Sequence, residues 1–246
     1  MRFALDICAN LVGIPLEVLI IAAMLRGSYR RYPALFVYMA AVFVVSLVET
    51  PLYVVGHLDV VRYSDRHVWK QYLSCYWIDE CALIALVFVV VVSLIYQATE
   101  RAQSRRLIRV SVVGGAVLFA AIAFWAHYDP TVPRGQWMTA WTSNLYFCAA
   151  ILDLGLWAML IGSRAKDSRL LMFSGALGIL FTGSAIAGSI SNLAVARRSS
   201  ALTFAGGLVN IMSNLTFLYV WWQALRAREA ANRLNPEAYR SSSPPL

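Results

Sequence analysis

Five carboxylic acids lie inside strongly apolar stretches of this 246-residue chain, and no lysine or arginine lies among them. A charged side chain at the centre of a bilayer costs roughly 2.5–3.5 kcal/mol on insertion scales, so such acids usually face a protein interior or a wet cavity. Without internal bases, these acids are either protonated or matched by water, a metal cation or a cationic ligand. They are Glu17, Glu49, Asp79, Glu80 and Asp153.

The five acids fall into two tiers of depth, measured from the end of the molecule that carries the N-terminus. A helical rise of about 1.5 Å per residue places Glu49, Asp79 and Glu80 roughly 9–14 Å deep. The same rise places Glu17 and Asp153 roughly 21–22 Å deep, where we expect them to face the interior rather than lipid. We interpret Glu17, Asp79 and Asp153 as candidate proton or cation stations.

Polar side chains at helical spacing accompany the outer tier. Tyr53 lies one turn from Glu49, and Tyr76 lies one turn from Glu80. Two asparagines lie one turn apart in the last apolar stretch, at depths between the two tiers. These stripes predict one ligand-binding pocket that opens at the N-terminal end. Its predicted residues are Glu49, Tyr53, Tyr76, Glu80 and Asn210, with Asn214 beside them.

The elements that carry these residues are transmembrane helices. The chain is 60% hydrophobic and 14% charged, against about 25% charged in soluble domains, which excludes a soluble enzyme, a disordered chain and a disulfide scaffold. Continuous runs such as "LIALVFVVVVSLIY" indicate helices, because barrel strands would alternate. The sequence predicts an all-α, seven-transmembrane-helix bundle with spans at 3–25, 34–55, 71–97, 107–126, 138–162, 170–190 and 203–225.

Basic residues set the predicted orientation. Of 21 lysines and arginines, 14 lie in the 26–33 loop, the 98–109 region, the 163–169 loop and the tail. Because cytoplasmic loops carry the excess of positive charge, the N-terminus is predicted outside and the C-terminus in the cytoplasm. Residues 1–228 form the predicted transmembrane domain, and residues 229–246 form a short, partly disordered cytoplasmic tail.

Aromatic and small residues complete the prediction for the spans. Tryptophans enriched at membrane interfaces indicate an outer belt and an inner belt, and the glycines of the sixth span indicate close helix packing. The outer belt comprises Trp69, Trp125, Trp137 and Trp141, the inner belt Trp221 and Trp222, and the small residues Gly175, Gly178, Gly183, Ala187 and Gly188.

Several function classes are excluded by what the spans lack. His57, His67 and His127 lie at outer ends or in outer loops, which excludes a bis-histidine haem within the bundle and disfavours an intramembrane zinc site. Lys70 and Lys166 lie outside the spans, which excludes a retinal Schiff base. The sequence carries no Walker loop, GxSxG or HExxH motif. We therefore predict no metal, no cofactor and, because the net charge of +8 reflects topology and lipid contact, no nucleic-acid partner.

Two segments, "LRGSYRRYPALFVYMA" and "YWIDECALIALVFVVVVSLIYQ", resemble a group of small, uncharacterised bacterial seven-helix integral membrane proteins. More loosely, they are similar to the membrane halves of seven-helix sensor kinases. The likeness covers about the first 100 residues and implies a seven-helix bundle in the bacterial inner membrane. It carries no catalytic residue, and we expect no kinase or other output domain.

Three functions follow from these observations. The first is a small-ligand-binding or sensor-type bundle, with a polar pocket for a small molecule or cation and basic loops facing a cytoplasmic partner. The alternatives are a proton- or cation-coupled transporter or channel and an accessory subunit of a larger membrane complex. An intramembrane enzyme ranks last, because no nucleophile and base stand at a recognisable spacing.

Overall fold

The computed structural model describes the backbone of residues 2–63, 67–99, 105–129, 131, 134–162 and 168–234. Side chains are described within 5–56, 75–99, 110–129, 140–161 and 169–226, and at 106, 131, 137 and 138. Over these residues the fold is all-helical, with no strand. The helices are α1 Arg2–Ala23, α2 Pro33–Tyr63, α3 His67–Ala98, α4 Arg105–His127, α5 Arg134–Gly162, α6 Ser168–Arg197 and α7 Ser200–Leu234.

Seven helices of the described chain are long and apolar enough to cross a membrane, as the sequence predicted. Most extend beyond the predicted spans: α2 continues to Tyr63 and α6 to Arg197. An apolar window marks only the part of a helix that suits lipid, whereas backbone hydrogen bonding continues into the polar interface. Because the helices alternate in direction, α1, α3, α5 and α7 begin at the end that carries the N-terminus, here called the N-terminal end.

Six of the helices close into a ring in the order α1, α2, α3, α5, α6, α7, with α7 returning to α1. The fourth helix lies outside this ring, against α5 and α3. Its outward face is apolar and exposed, and Trp125 on that face is 87% exposed. Such a face suits the hydrocarbon of a bilayer.

Two short connections have backbone conformations that fix neighbouring helices. After α1, the π-helical turn Met24–Ser28 contains Gly27 at φ 124°, which only glycine adopts readily. Between α6 and α7, Arg198 takes a positive φ of 48°, and the Ser199 hydroxyl accepts a hydrogen bond from the Leu202 amide at 3.4 Å, as helix N-caps do. This tight connection makes α6 and α7 antiparallel neighbours with the most extensive contact in the bundle.

The half of the bundle away from the N-terminal end is filled by aromatic side chains. Tyr38, Phe173, Phe217 and Trp221 pack with ring centroids 4.5–6.4 Å apart, and Tyr32 stacks edge-on against Phe173 at 5.3 Å. Aliphatic residues from α2, α3, α5 and α6 surround them. We call this group of five side chains the aromatic core.

The placement of Trp221 at a membrane interface was wrong. It is 0% exposed, and its indole N–H donates to the Phe173 carbonyl oxygen at 3.3 Å. Trp222 is half-buried, and the Arg226 guanidinium lies 5.2 Å from its ring centroid. Consecutive helical residues point about 100° apart, so one of two adjacent tryptophans faces the core while the other faces outward.

Aromatic residues do gather at the N-terminal end, where the outer belt was predicted. Trp137 and Trp141 contact Phe124, and Trp137 also contacts Tyr128, at centroid distances of 5.4–5.8 Å. The side chain of Trp69 lies outside the described residues. The cluster joins α5 to the peripheral α4.

The glycines of α6 allow close packing, as predicted. A Cβ added at Gly178 would lie 3.0 Å from Asp153 Oδ2, and one at Gly188 would lie 2.9 Å from Ser143 Oγ. A Cβ at Gly183 would overlap the side chain of Ser213. These glycines therefore bring polar groups of α5 and α7 against the α6 backbone.

Candidate functional site

Both acids of the inner tier face the bundle interior, as expected from their depth. Glu17 on α1 and Asp153 on α5 are each 3% exposed. Their partners differ. Asp153 Oδ1 accepts a hydrogen bond from the Ser174 hydroxyl at 2.8 Å, a partner on the adjacent α6. The structure therefore gives Asp153 a packed, hydrogen-bonded environment between α5 and α6.

Glu17 has only one of its two oxygens satisfied. Its Oε1 accepts a hydrogen bond from the Ser46 hydroxyl on α2 at 3.1 Å. Its Oε2 is buried and has no hydrogen-bond partner. Buried polar atoms without a partner are rare in folded proteins, and each one calls for a physical explanation.

A ladder of polar pairs joins α1 to α2 above Glu17. The Asn10 amide donates to Thr50 Oγ1 at 3.2 Å, and the Tyr53 hydroxyl donates to Asp6 Oδ2 at 2.9 Å. Polar side chains of these two helices therefore meet one another. Sequence reasoning did not include Asp6 among the site residues, although its spacing from Asn10 places both on one helical face.

One polar cavity within the described part of the chain lies among α3, α5, α6 and α7 and has a volume of about 210 Å³. We call it the hydroxyl cavity, because six of its wall residues carry hydroxyl groups. Within its wall, the Tyr146 hydroxyl on α5 donates a hydrogen bond to Glu80 Oε1 on α3 at 3.0 Å. The cavity is lined by Tyr76, Glu80, Thr142, Ser143, Tyr146, Ser184, Ala187, Gly188, Ser191, Gly206, Gly207 and Asn210.

The second cavity lies among α1, α2 and α7 and has a volume of about 170 Å³. We call it the amide cavity, because three asparagines line it. It extends along α1 and has Glu17 in its wall. Its residues are Asp6, Ala9, Asn10, Gly13, Ile14, Glu17, Ser46, Asn210, Ile211, Asn214 and Leu215.

Asn210 on α7 borders both cavities. Its Oδ1 accepts a hydrogen bond from the Ser184 hydroxyl of α6 at 3.4 Å. The α7 helix thus separates the two cavities, with Asn210 as their common wall.

The structure divides the residues predicted to share one pocket. Tyr76, Glu80 and Asn210 line the hydroxyl cavity, whereas Asn214 lines the amide cavity. Tyr53 turns toward Asp6 instead. Depth estimates placed these residues at similar heights, but height does not specify the direction in which a helix presents a side chain.

Three further predicted acids line neither of these cavities. Glu49 is half-buried and lies within electrostatic range of Asp79 and Glu80. Asp79 is itself half-buried, and Asp153 bonds to α6 as described above. The three outer acids therefore lie near one another beside the hydroxyl cavity.

Sequence reasoning missed most of the hydroxyl groups. Thr142 and Tyr146 lie one turn apart on α5, and Ser184 and Ser191 lie two turns apart on α6. Single serines and threonines occur often in membrane helices and carry little signal alone. Their helical spacing, read together with Glu80, was the available clue.

Chemically, the two cavities offer hydrogen bonding and negative charge. Within the described residues, no three His, Cys, Asp or Glu side chains come together in a way that could hold a metal ion.

Outside the membrane-crossing segments, the Thr131 hydroxyl and amide lower the pKa of Asp129 by donating at 2.6 and 2.8 Å. Comparison of the chain with protein-family models, curated proteins and solved structures found no match to any of them.

Proposed function

We propose that this protein is a ligand-binding membrane bundle of the sensor type, and that a small polar molecule occupies the hydroxyl cavity. The observation that carries the proposal is the set of hydroxyl groups that converge with Glu80 on one cavity of about 210 Å³. Binding sites combine a concave shape with a few placed polar groups. Here the polar groups come from four helices, so ligand binding would depend on the relative positions of those helices.

The chemistry of the walls favours an uncharged ligand with several hydroxyl or amide groups. Hydroxyl side chains both donate and accept hydrogen bonds, so they suit such groups well. An anion is disfavoured, because Glu80 lies in the wall and Glu49 and Asp79 lie nearby. Lysine and arginine are absent from the residues that line the cavity.

The distribution of packing favours binding over passage. The hydroxyl cavity draws on the parts of α3, α5 and α7 nearer the N-terminal end, whereas the aromatic core fills the other half. A ligand in the hydroxyl cavity would therefore enter and leave at the N-terminal end. With the orientation predicted from basic residues, that end faces the outside of a bacterial inner membrane.

The experiment is a thermal-unfolding screen of the detergent-purified protein with polyols, monosaccharides and small amides. We expect one class to raise Tm saturably, because a ligand that binds only the folded state stabilises it. Tyr146→Phe and Glu80→Gln should weaken that ligand about tenfold, since a hydrogen bond to a charged group is worth about 1.5–3 kcal/mol.

Tyr219→Phe is the matched control, because this exposed α7 tyrosine contacts Gln223 and Trp222 and lines neither cavity. Its ligand affinity should equal that of the unaltered protein. A Tm response that is equally large in Tyr146→Phe, Glu80→Gln and the control would contradict the assignment of this cavity.

Coupled transport is the second candidate, and one observation favours it. The buried Tyr38 lies within electrostatic range of both Glu80 and Glu17, which border the two cavities. Proteoliposomes with an imposed proton gradient provide the test. A gradient-dependent flux that Glu80→Gln abolishes would replace the sensor proposal with a transporter.

A further inference from the structure

The amide cavity follows one face of α1 from a carboxylate near its outer end to a carboxylate at its floor. Asp6 and Glu17 are separated by eleven helical residues, roughly 16 Å at about 1.5 Å per residue. The two acids therefore cannot bind one ion between them. Asp6 already accepts a hydrogen bond from Tyr53, so an elongated ligand along this face would place a cationic group at Glu17.

The unpartnered oxygen of Glu17 is the feature that points to a ligand. Glu17 is 3% exposed and lines the cavity, and its Oε2 has no hydrogen-bond donor. Protonation of Oε2 would remove the charge but would leave a buried O–H group without an acceptor. A ligand that donates a hydrogen bond and carries a positive charge would give the oxygen a donor and also balance the charge of the carboxylate.

Gly13 shows that there is space beside this acid. It lies one helical turn from Glu17 and is buried, yet a Cβ added there would meet no atom within 4 Å. Buried position and open space together mean that the α1 backbone faces the void of the cavity. The missing side chain leaves room for a ligand to lie along the helix.

The other polar groups of the cavity supply acceptors rather than a compact ion shell. The Asn10 amide nitrogen is engaged with Thr50, which leaves its oxygen for another donor. Asn214 lines the cavity opposite, on α7, as does Asn210. A bare divalent cation requires six or more oxygens at 2.0–2.6 Å, and one carboxylate with dispersed amides does not provide that arrangement.

We propose that the amide cavity binds an organic cation with a primary ammonium group, seated at the Glu17 carboxylate, with its alkyl chain lying along α1 past Gly13. An ammonium group carries three N–H donors and one positive charge, which match the unpartnered carboxylate oxygen and the amide oxygens around it. This site is separate from the proposed site in the hydroxyl cavity and shares only Asn210 with it.

The test measures binding of butylammonium to the full-length protein in detergent at pH 7 by isothermal titration calorimetry. The comparison ligands are 1-butanol, which has nearly the same size without charge, and sodium ion, which has the charge without the chain. We expect saturable binding of butylammonium that is at least about tenfold tighter than that of either comparison ligand. Equal binding of 1-butanol, stronger binding of sodium, or no binding of butylammonium would overturn the proposal.

Two variants locate the site, and each has a matched control. Glu17→Gln should weaken butylammonium at least about tenfold by removing the charge, and Gly13→Val should do so by filling the space. Asp153→Asn alters an equally buried acid outside the cavity, and Gly155→Val alters a glycine that also faces open space outside it. Both controls should bind within about twofold of the unaltered protein.

These variants keep the proposal falsifiable if one of them does not fold. Gel filtration establishes folding before titration, and Gly13→Val retains Glu17 while closing the space beside it. Undiminished affinity in either folded variant would overturn the assignment. Because Tyr146→Phe leaves the amide cavity unaltered, loss of polar-compound binding in that variant with butylammonium binding retained would separate the two proposals.

Discussion

At the residue scale, the two inner acids show that depth and burial do not determine a role. Glu17 and Asp153 have the same fractional exposure of 3%. Ser174 donates to Asp153 from the adjacent helix, whereas Glu17 keeps one oxygen without a donor at the wall of a cavity. The hydrogen bonds that each acid makes, rather than its residue type, distinguish a packed acid from a candidate ligand contact.

Asp129 provides a pH-dependent prediction at this scale. Its pKa is lowered in the folded chain because the Thr131 hydroxyl and amide donate to its Oδ1. A depressed folded pKa contributes stability above the unfolded pKa, and this contribution is lost as pH falls through the folded value. Thr131→Val removes the hydroxyl donor, so the pKa of Asp129 should rise toward its ordinary range.

An NMR titration of the Asp129 carboxyl carbon measures this change. The remaining backbone donor should keep the pKa of Asp129 in Thr131→Val below that of an unstructured aspartate. Thr203→Val is the control, because its hydroxyl donates to the Ser199 carbonyl instead. An Asp129 pKa identical in Thr131→Val and the unaltered protein would contradict the explanation.

At the element scale, α6 is the helix on which the cavity walls depend. It contacts α5 and α7 extensively, and its glycines admit Asp153, Ser143 and Ser213 close to its backbone. Small residues stabilise membrane bundles in this way because van der Waals contact replaces the hydrophobic driving force that lipid removes. Larger residues here would push α5 and α7 outward and change the walls of the hydroxyl cavity.

Gly183→Ala tests this packing. The added methyl group would overlap the Ser213 side chain, so we expect a loss of about 1–3 kcal/mol in the free energy of unfolding, the usual range for overpacking. Unfolding in mixed detergent micelles provides the measurement. Gly175→Ala, on the same helix with open space beside it, should be nearly neutral.

A double variant sharpens the same prediction. Replacing Ser213 with glycine removes the atoms that the new methyl group would meet, so Gly183→Ala with Ser213→Gly should recover part of the lost stability. A double-mutant cycle isolates this coupling. Strictly additive losses would show that the two helices do not meet at this pair.

At the scale of the whole molecule, the distribution of charge and the distribution of packing describe the same asymmetry. Fourteen of the 21 basic residues lie in the sequence segments predicted to face the cytoplasm, and the aromatic core fills the half of the bundle away from the N-terminal end. The hydroxyl cavity belongs to the other half. This arrangement supports the proposed binding function at one side of a membrane.

The predicted orientation is tested with reporter fusions. Alkaline phosphatase fused after Leu246 should be inactive and green fluorescent protein at the same position should fluoresce, because the positive charge retains that end in the cytoplasm. Fusions after Thr131, in the connection between α4 and α5, should give the reverse pattern. Active phosphatase at Leu246 with inactive phosphatase at Thr131 would invert the topology.

The sequence by itself determined the class, the number of helices and the interior position of Glu17 and Asp153. Each of these follows from local chemistry: apolar length against bilayer thickness, and the cost of an acid in lipid. The orientation and the function remain predictions.

The tertiary structure alone decided that α4 lies outside the ring, that Trp221 faces inward, and that α7 divides the expected pocket in two. Sequence periodicity gives the height and the polar face of a helix, but the partner that each face meets depends on how seven helices pack together. A cavity is the space that this packing leaves, so it emerges only when all the helices are in place.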